Sequence, residues 1–208
     1  VVGIAEGASI QAGLRSPIGA HRVQTTLGAE GSVEFDATYT DMGLLLQAIF
    51  GKTSTSTVAV TGSAYTQTHT LDNDDYGLSH TLQVSRVARD ASGTAIPATV
   101  SGAKVTSASF NCDVSGVLEI GLTYDGREFD NTTALAVASY PVATRPVRGV
   151  EMCVKTGTFS SETALSGVRG WSMTYTRPMD GADYVACGDG LKGEPVQNGP
   201  IEITGTLN

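Results

Sequence analysis

Residues 33–51 read VEFDATYTDMGLLLQAIFG, and within this stretch the hydrophobic pattern changes its period once. Val33, Phe35, Ala37 and Tyr39 alternate with Glu34, Asp36, Thr38 and Thr40, the period of two that gives a strand one buried face. Asp41 follows, placed to cap the amides of a short helix in which Leu44, Leu45, Ala48 and Ile49 form an apolar stripe and Gly51 provides the stop. A helix this short does not persist alone in water, so its stripe needs a sheet face to lie on. The passage therefore predicts a mainly β fold with one short flanking helix.

The rest of the chain extends that reading. Residues 1–31 mix Gly, Ala and Ser with isolated apolar residues and show no sustained period, which predicts an extended arm or loop; residues 32–208 then form one β domain. The run KTSTSTVAVTGS at 52–63 fits either a flexible loop or the tip of a long hairpin. A strand at 64–71, an acidic turn at 72–77 and a strand carrying Leu78, His80, Leu82 and Val84 on one face come next. After a turn-rich segment at 90–102, Thr106, Ala108, Phe110 and Cys112 alternate in one run and Leu118, Ile120, Leu122 and Tyr124 in another. Ser115-Gly116 stands between them for a tight reversal, and Asp125-Gly126 closes the second. Further strands are predicted near 135–140, 147–155, 171–177 and 201–207.

Composition narrows the function. The 208 residues include 25 glycines, many more than long helices tolerate, and carry a net charge of −8 with a pI near 4.7. The basic residues are scattered from Arg15 to Lys192, so there is no positive stripe to hold a phosphate backbone and no polybasic membrane patch. No apolar run approaches the ~20 residues that span a bilayer, and no stretch has the pattern of a signal peptide, so the chain reads as a soluble protein. Cys112, Cys153 and Cys187 are odd in number and far apart, which suits a reducing compartment, with one disulfide left open.

No catalytic constellation emerges, and the expectation is a non-enzymatic protein without a cofactor or metal. His21, His69 and His80 lack metal-ligand spacing; His80 reads as a hydrogen-bonded structural histidine and His69 as a cross-strand surface residue. The acidic turn at 72–77 fails as a calcium loop because Tyr76 takes the fifth position and Gln83 the closing one. The run 188–193 lacks P-loop spacing, and Asn131-Thr132-Thr133 is a glycosylation sequon with no secretory context. Glu119 and Asp125 would form an acid/base pair only if the fold brought them together. Trp171, Met173 and Tyr175 recur at strand spacing and read as core or interface, with a sugar-stacking platform as the rival.

The strand-then-helix passage at 33–51 resembles that of the tail tube proteins of long-tailed bacteriophages. AYTQTHTL at 64–71, LSHTLQVSR at 78–86 and GAKVTSASFNCDVSGVLEIGLTYDG at 102–126 continue the likeness in order and pattern, while 142–200 matches less and suggests an insertion. The resemblance implies a β-sandwich of two antiparallel sheets flanked by the helix, whose Leu44, Leu45, Ala48 and Ile49 pack on a sheet. It also implies six copies to a ring and rings stacked into a tube, in a virion tail assembled in the host cytoplasm. Partners would be further copies of the chain, tail tip and terminator proteins, and a tape-measure protein in the lumen, with DNA passing through without specific binding. By the same resemblance, Lys52, Thr53, Thr55, Thr57, Val58, Val60 and Tyr65 are candidates for contacts between subunits or rings, and the acids facing the lumen are unknown. A contractile-tail or secretion-system tube shares this plan; a β-sandwich adhesin with a carbohydrate site at Trp171 and Tyr175 is the alternative from another class.

Overall fold

The computed structural model describes residues 2–6, 22–58, 65–71, 79–87, 95–139, 145–158, 160–182, 184 and 190–208. The chain is mainly β. In order it forms β1 (Val2–Glu6), β2 (Arg22–Leu27), β3 (Ala29–Asp36), α1 (Gly43–Phe50), β4 (Gly51–Val58), β5 (Tyr65–Leu71), β6 (His80–Val87), β7 (Ala95–Asp113), β8 (Glu119–Gly126) and β9 (Glu128–Asp130). Then come β10 (Lys155–Thr156), β11 (Thr163–Ala164), β12 (Gly170–Thr176), β13 (Met179–Asp180), β14 (Val196–Gln197) and β15 (Glu202–Leu207).

The main antiparallel sheet has the order β15-β12-β7-β8-β3, with β6 and β9 attached to the first half of β7. β7, at 19 residues, joins the two parts: it pairs with β6 and β9 up to Ala103, then with β8 and β12 from Lys104 onward. Gly102 lies at this changeover with φ +61, a backbone conformation that costs glycine little and other residues much more. Pro97 and Gly102 make 90–102 look turn-rich in sequence, yet the strand begins at Ala95. β9 pairs only with Thr99–Ser101, so Pro97 has a partner on one side alone, where a missing N–H is tolerated.

The core lies on one face of the sheet. Val105, Ala108 and Phe110 of β7, Ile120, Leu122 and Tyr124 of β8 and Tyr175 of β12 are buried there with Ala48 and Ile49 of α1. Phe50 meets the Tyr175 ring edge-on at 6.0 Å between centroids. The strand pattern alternates because a pleated strand shows successive side chains to opposite faces, and only one face here is covered.

Several expectations need correction. Met42, not Asp41, is the N-cap of α1, and no side chain caps it; Asp41 itself stands at φ +65 in the preceding turn. Gly51 ends the helix as expected, at φ +89, donating its N–H to Gln47 O. Leu44 points to solvent at 64% exposed, so the packed stripe is Leu45, Ala48 and Ile49. Residues 135–139 form no regular element, and 147–155 is a 3-10 turn (Gly149–Glu151) and irregular chain, with β10 starting only at Lys155. That segment spends its backbone bonds elsewhere: Val147 donates to Ala37 O and accepts from Leu118 N. In the arm, Val2–Glu6 and Arg22–Leu27 are extended but paired with each other, and β3 already begins at Ala29. Within the span 142–200, β12 (Gly170–Thr176) sits inside the main sheet. The acidic turn at 72–77, His21, Cys187 and the start of the 188–193 loop lie outside the described residues.

Candidate functional site

The face of the main sheet opposite the core is polar across all five strands. Register places Glu30, Ser32, Glu34 and Asp36 of β3 opposite Asp125, Thr123, Gly121 and Glu119 of β8. Ser107, Ser109 and Asn111 of β7 continue the rows, followed by Thr176, Thr174 and Ser172 of β12, then Glu202, Thr204 and Thr206 of β15. Its exposed charged residues are all acids: Glu30, Glu34, Asp36, Asp113, Glu119 and Glu202. A wall of hydroxyls and carboxylates offers no cation to a phosphate and no apolar patch to a protein.

One end of this face is closed. Lys104 lies opposite Asp125 and is 5% exposed, and Lys192, 6% exposed, donates to Asp125 Oδ1. Lys192 reaches there because Leu27 N bonds Gly190 O at 2.7 Å and Leu191 bridges Leu27, which ties residues 190–192 to the end of β2, two residues before β3. The basic groups at this end are thus taken up internally and the open part of the face keeps its acidic sign.

Both edges of the sheet are open among the described residues. Among the described residues β3 pairs only with β8 and β15 only with β12. Val33 of β3 is 45% exposed, and Ile203 and Leu207 of β15 are 54% and 56% exposed. Unpaired edges with apolar side chains are templates for another chain.

A charged cluster fixes the turn between β3 and α1. Glu151 accepts from Arg145 at 2.8 Å, from Arg148 at 2.5 Å and from the Tyr39 hydroxyl, while the Arg145 guanidinium lies 4.9 Å from the Tyr39 ring centroid. The bonds from Arg148 and then Tyr39 hold the Glu151 carboxyl down to about 2, and the bond to Glu151 raises the Tyr39 hydroxyl.

The residues singled out from sequence scatter over this architecture. Lys52 is exposed at the start of β4; Thr53, Thr55, Thr57 and Val58 lie along β4 and Tyr65 begins the partner strand β5, with Val60 outside the described residues. The run at 52–58 is therefore one strand of a hairpin, with a register shift between Ser54 and Thr57. Tyr175 is wholly buried, so it offers no sugar-stacking surface with Trp171. Glu119 and Asp125 share a face but stand six residues apart on one strand, roughly 20 Å, well beyond the roughly 5–9.5 Å that glycosidase carboxylates need. His69 faces Thr53 across the hairpin. The His80 Nε2 is buried without a hydrogen-bond partner among the described residues, and burial lowers the pKa of the ring. The acids of the polar face were missed as a set; their signal was each strand's complementary alternation, but it does not say which strands are neighbours.

The described residues bring no group of His, Cys, Asp or Glu together to hold a metal, and no helix among them is long and apolar enough to cross a membrane. The fold so built is mainly β, with one main antiparallel sheet and one short helix. A family model described as phage tail tube protein matches residues 10–208, and the chain belongs to that family. It is thus a component of a virion tail, of a family that is structural rather than enzymatic. No curated protein matches the chain.

Proposed function

We propose that six copies of this chain form a ring, that rings stack into the tail tube, and that the polar face described above lines the lumen through which DNA passes into the bacterial host. The observation that carries this reading is the coincidence of two features on one sheet: open edges on both sides, and between them a face whose exposed charges are all acids. Joining edges around a ring continues the sheet and removes its unpaired strands. The face turned inward then repels a phosphate backbone over about 8 Å at physiological salt, which favours passage over adhesion. In this reading tail tip and terminator proteins bound the two ends, a tape-measure protein occupies the lumen before DNA does, and assembly takes place in the host cytoplasm.

The β1–β2 and β4–β5 ribbons are suited to contacts between rings, because each pairs chiefly with itself. Lys52, Thr53, Thr55, Thr57, Val58 and Tyr65 belong to the second of these, and Val60, which follows β4 in sequence, is proposed for the same contacts. Electron microscopy of the purified protein at rising concentration tests the proposal. Hexameric rings and tubes are expected; a monomer that never assembles, even with tail-initiation proteins present, would sink it.

A further inference from the structure

Beside β3 the core opens into an apolar groove of about 520 Å³. Val33 forms one wall, Leu82 and Val84 of β6 the other, and Val100, Tyr124 and Phe129 line it between them. At the opposite edge of the same sheet stands β15. Register sets Ile203 opposite Tyr175 and Leu207 opposite Trp171, so both belong to the core side, yet both remain more than half exposed. Thr204, Thr206 and Glu202 take the polar side. One edge thus ends in a hollow and the other in two protruding aliphatic side chains.

We propose that β15 of one copy pairs with β3 of the next and seats Ile203 and Leu207 in the groove between β3 and β6. This rests on the ring reading above and names the seam that closes the ring. Side-chain alternation supports it. When β15 continues the sheet past β3, its apolar side falls over Val33 and its threonines extend the polar face. A placement with the faces exchanged sets Ile203 and Leu207 against Glu34 and Asp36 and leaves the hollow empty. The lengths also agree: Ile203 and Leu207 are roughly 13 Å apart along a strand, and the groove follows the chain from Leu27 to Val33, roughly 20 Å.

Strand direction follows from the topology. The sheet holds β15, β12, β7, β8 and β3 in antiparallel succession, an odd number, so β15 and β3 run the same way. A ring rotation preserves direction, and the seam is therefore parallel. Two-fold pairing of β3 with β3 would bring the Glu30, Glu34 and Asp36 rows of two copies side by side, an unfavourable like-charge arrangement. Two-fold pairing of β15 with β15 would leave both grooves unfilled.

The test uses the full chain with Ile203→Glu, Val84→Lys and the two combined, each followed by sedimentation, electron microscopy and thermal melting. Either single change is expected to raise the concentration needed for assembly at least tenfold while the monomer melts with the parent, since both sites are exposed; the double variant recovers part of the loss. Hydrogen exchange on the parent should slow at residues 29–36 and 202–207 when tubes form. If the parent forms tubes and the single variants assemble as readily, or exchange at both edges is unchanged, this seam is wrong and the tube reading stands. A parent that stays monomeric with tail-initiation proteins present overturns both.

Discussion

The main sheet and the two ribbons are built from the same kinds of residue and the same antiparallel pairing, but they differ in what lies behind them. The sheet buries Val105, Ala108, Leu122 and Tyr175 against α1, so each strand is held by side-chain packing as well as by its ladder. The β1–β2 ribbon is tied to the rest of the described residues at its Val2/Leu27 end, while Val2, Ile4 and Val23 remain 53%, 65% and 57% exposed and its register shifts between Gly3 and Ile4. The β4–β5 ribbon touches α1 at its base and shifts register between Ser54 and Thr57. A two-stranded ribbon in water is marginal at best, so on the proposed reading these parts gain stability from what they meet in the tube. Monomer stability and assembly should therefore answer to different residues.

The largest effect on the monomer is expected in the sheet. Tyr175→Ala removes a wholly buried ring that packs on Phe50 and accepts from Arg177 Nε at 3.0 Å, and should cost about 3–5 kcal/mol in urea denaturation. Lys192→Met leaves Asp125 without its cation at the closed end of the polar face. A loss of up to about 3 kcal/mol is expected, with at most partial recovery in Lys192→Met/Asp125→Leu, where this pair is gone but buried Lys104 stays beside the site. Gly51→Ala forces a side chain into φ +89 at the end of α1, for about 1 kcal/mol by the same assay. In the ribbon, Ile4→Ser and Val23→Ser should change monomer stability by less than about 0.5 kcal/mol yet reduce tube yield by sedimentation. A large monomer loss from these two would erase the distinction between sheet and ribbon.

The Glu151 cluster sharpens the comparison through pH. Its carboxyl is depressed from 4.5 to about 2 in the folded chain, so the stabilisation is fully present above pH 4.5 and is lost as pH falls toward 2. The effect is modest because the cluster is exposed. Carboxyl NMR should place the midpoint near 2, and Glu151→Gln should abolish this part of the acid dependence, while the ribbons, which lack the cluster, show none of it.

How much of this was legible depends on range along the chain. The strand at 33–36, the helix ended by Gly51, the reversal at Ser115-Gly116 and the strands at 171–176 and 202–207 follow from alternation and turn residues a few positions apart. Where the prediction failed, a longer-range partner decided. Pro97 and Gly102 looked like breakers until β6, β9 and β8 supplied β7 with its ladders. Val147 looked like a strand residue, but Ala37 and Leu118 claim its backbone. Leu44 belonged to the stripe by spacing, yet the sheet reaches only Leu45, Ala48 and Ile49.

By itself the sequence determined the class of structure, the acidic balance and the alternation that splits each strand into an apolar and a polar side, because these depend on neighbours within a few residues. The tertiary structure alone decided that Glu30, Glu34, Asp36, Glu119 and Glu202 share one face, that Lys104 and Lys192 are withdrawn from it, and that a hollow lies beside β3 while Ile203 and Leu207 stand exposed at the other edge. Strand order is set by pairings between residues far apart in the chain, and local pattern carries no record of which strand will lie beside which.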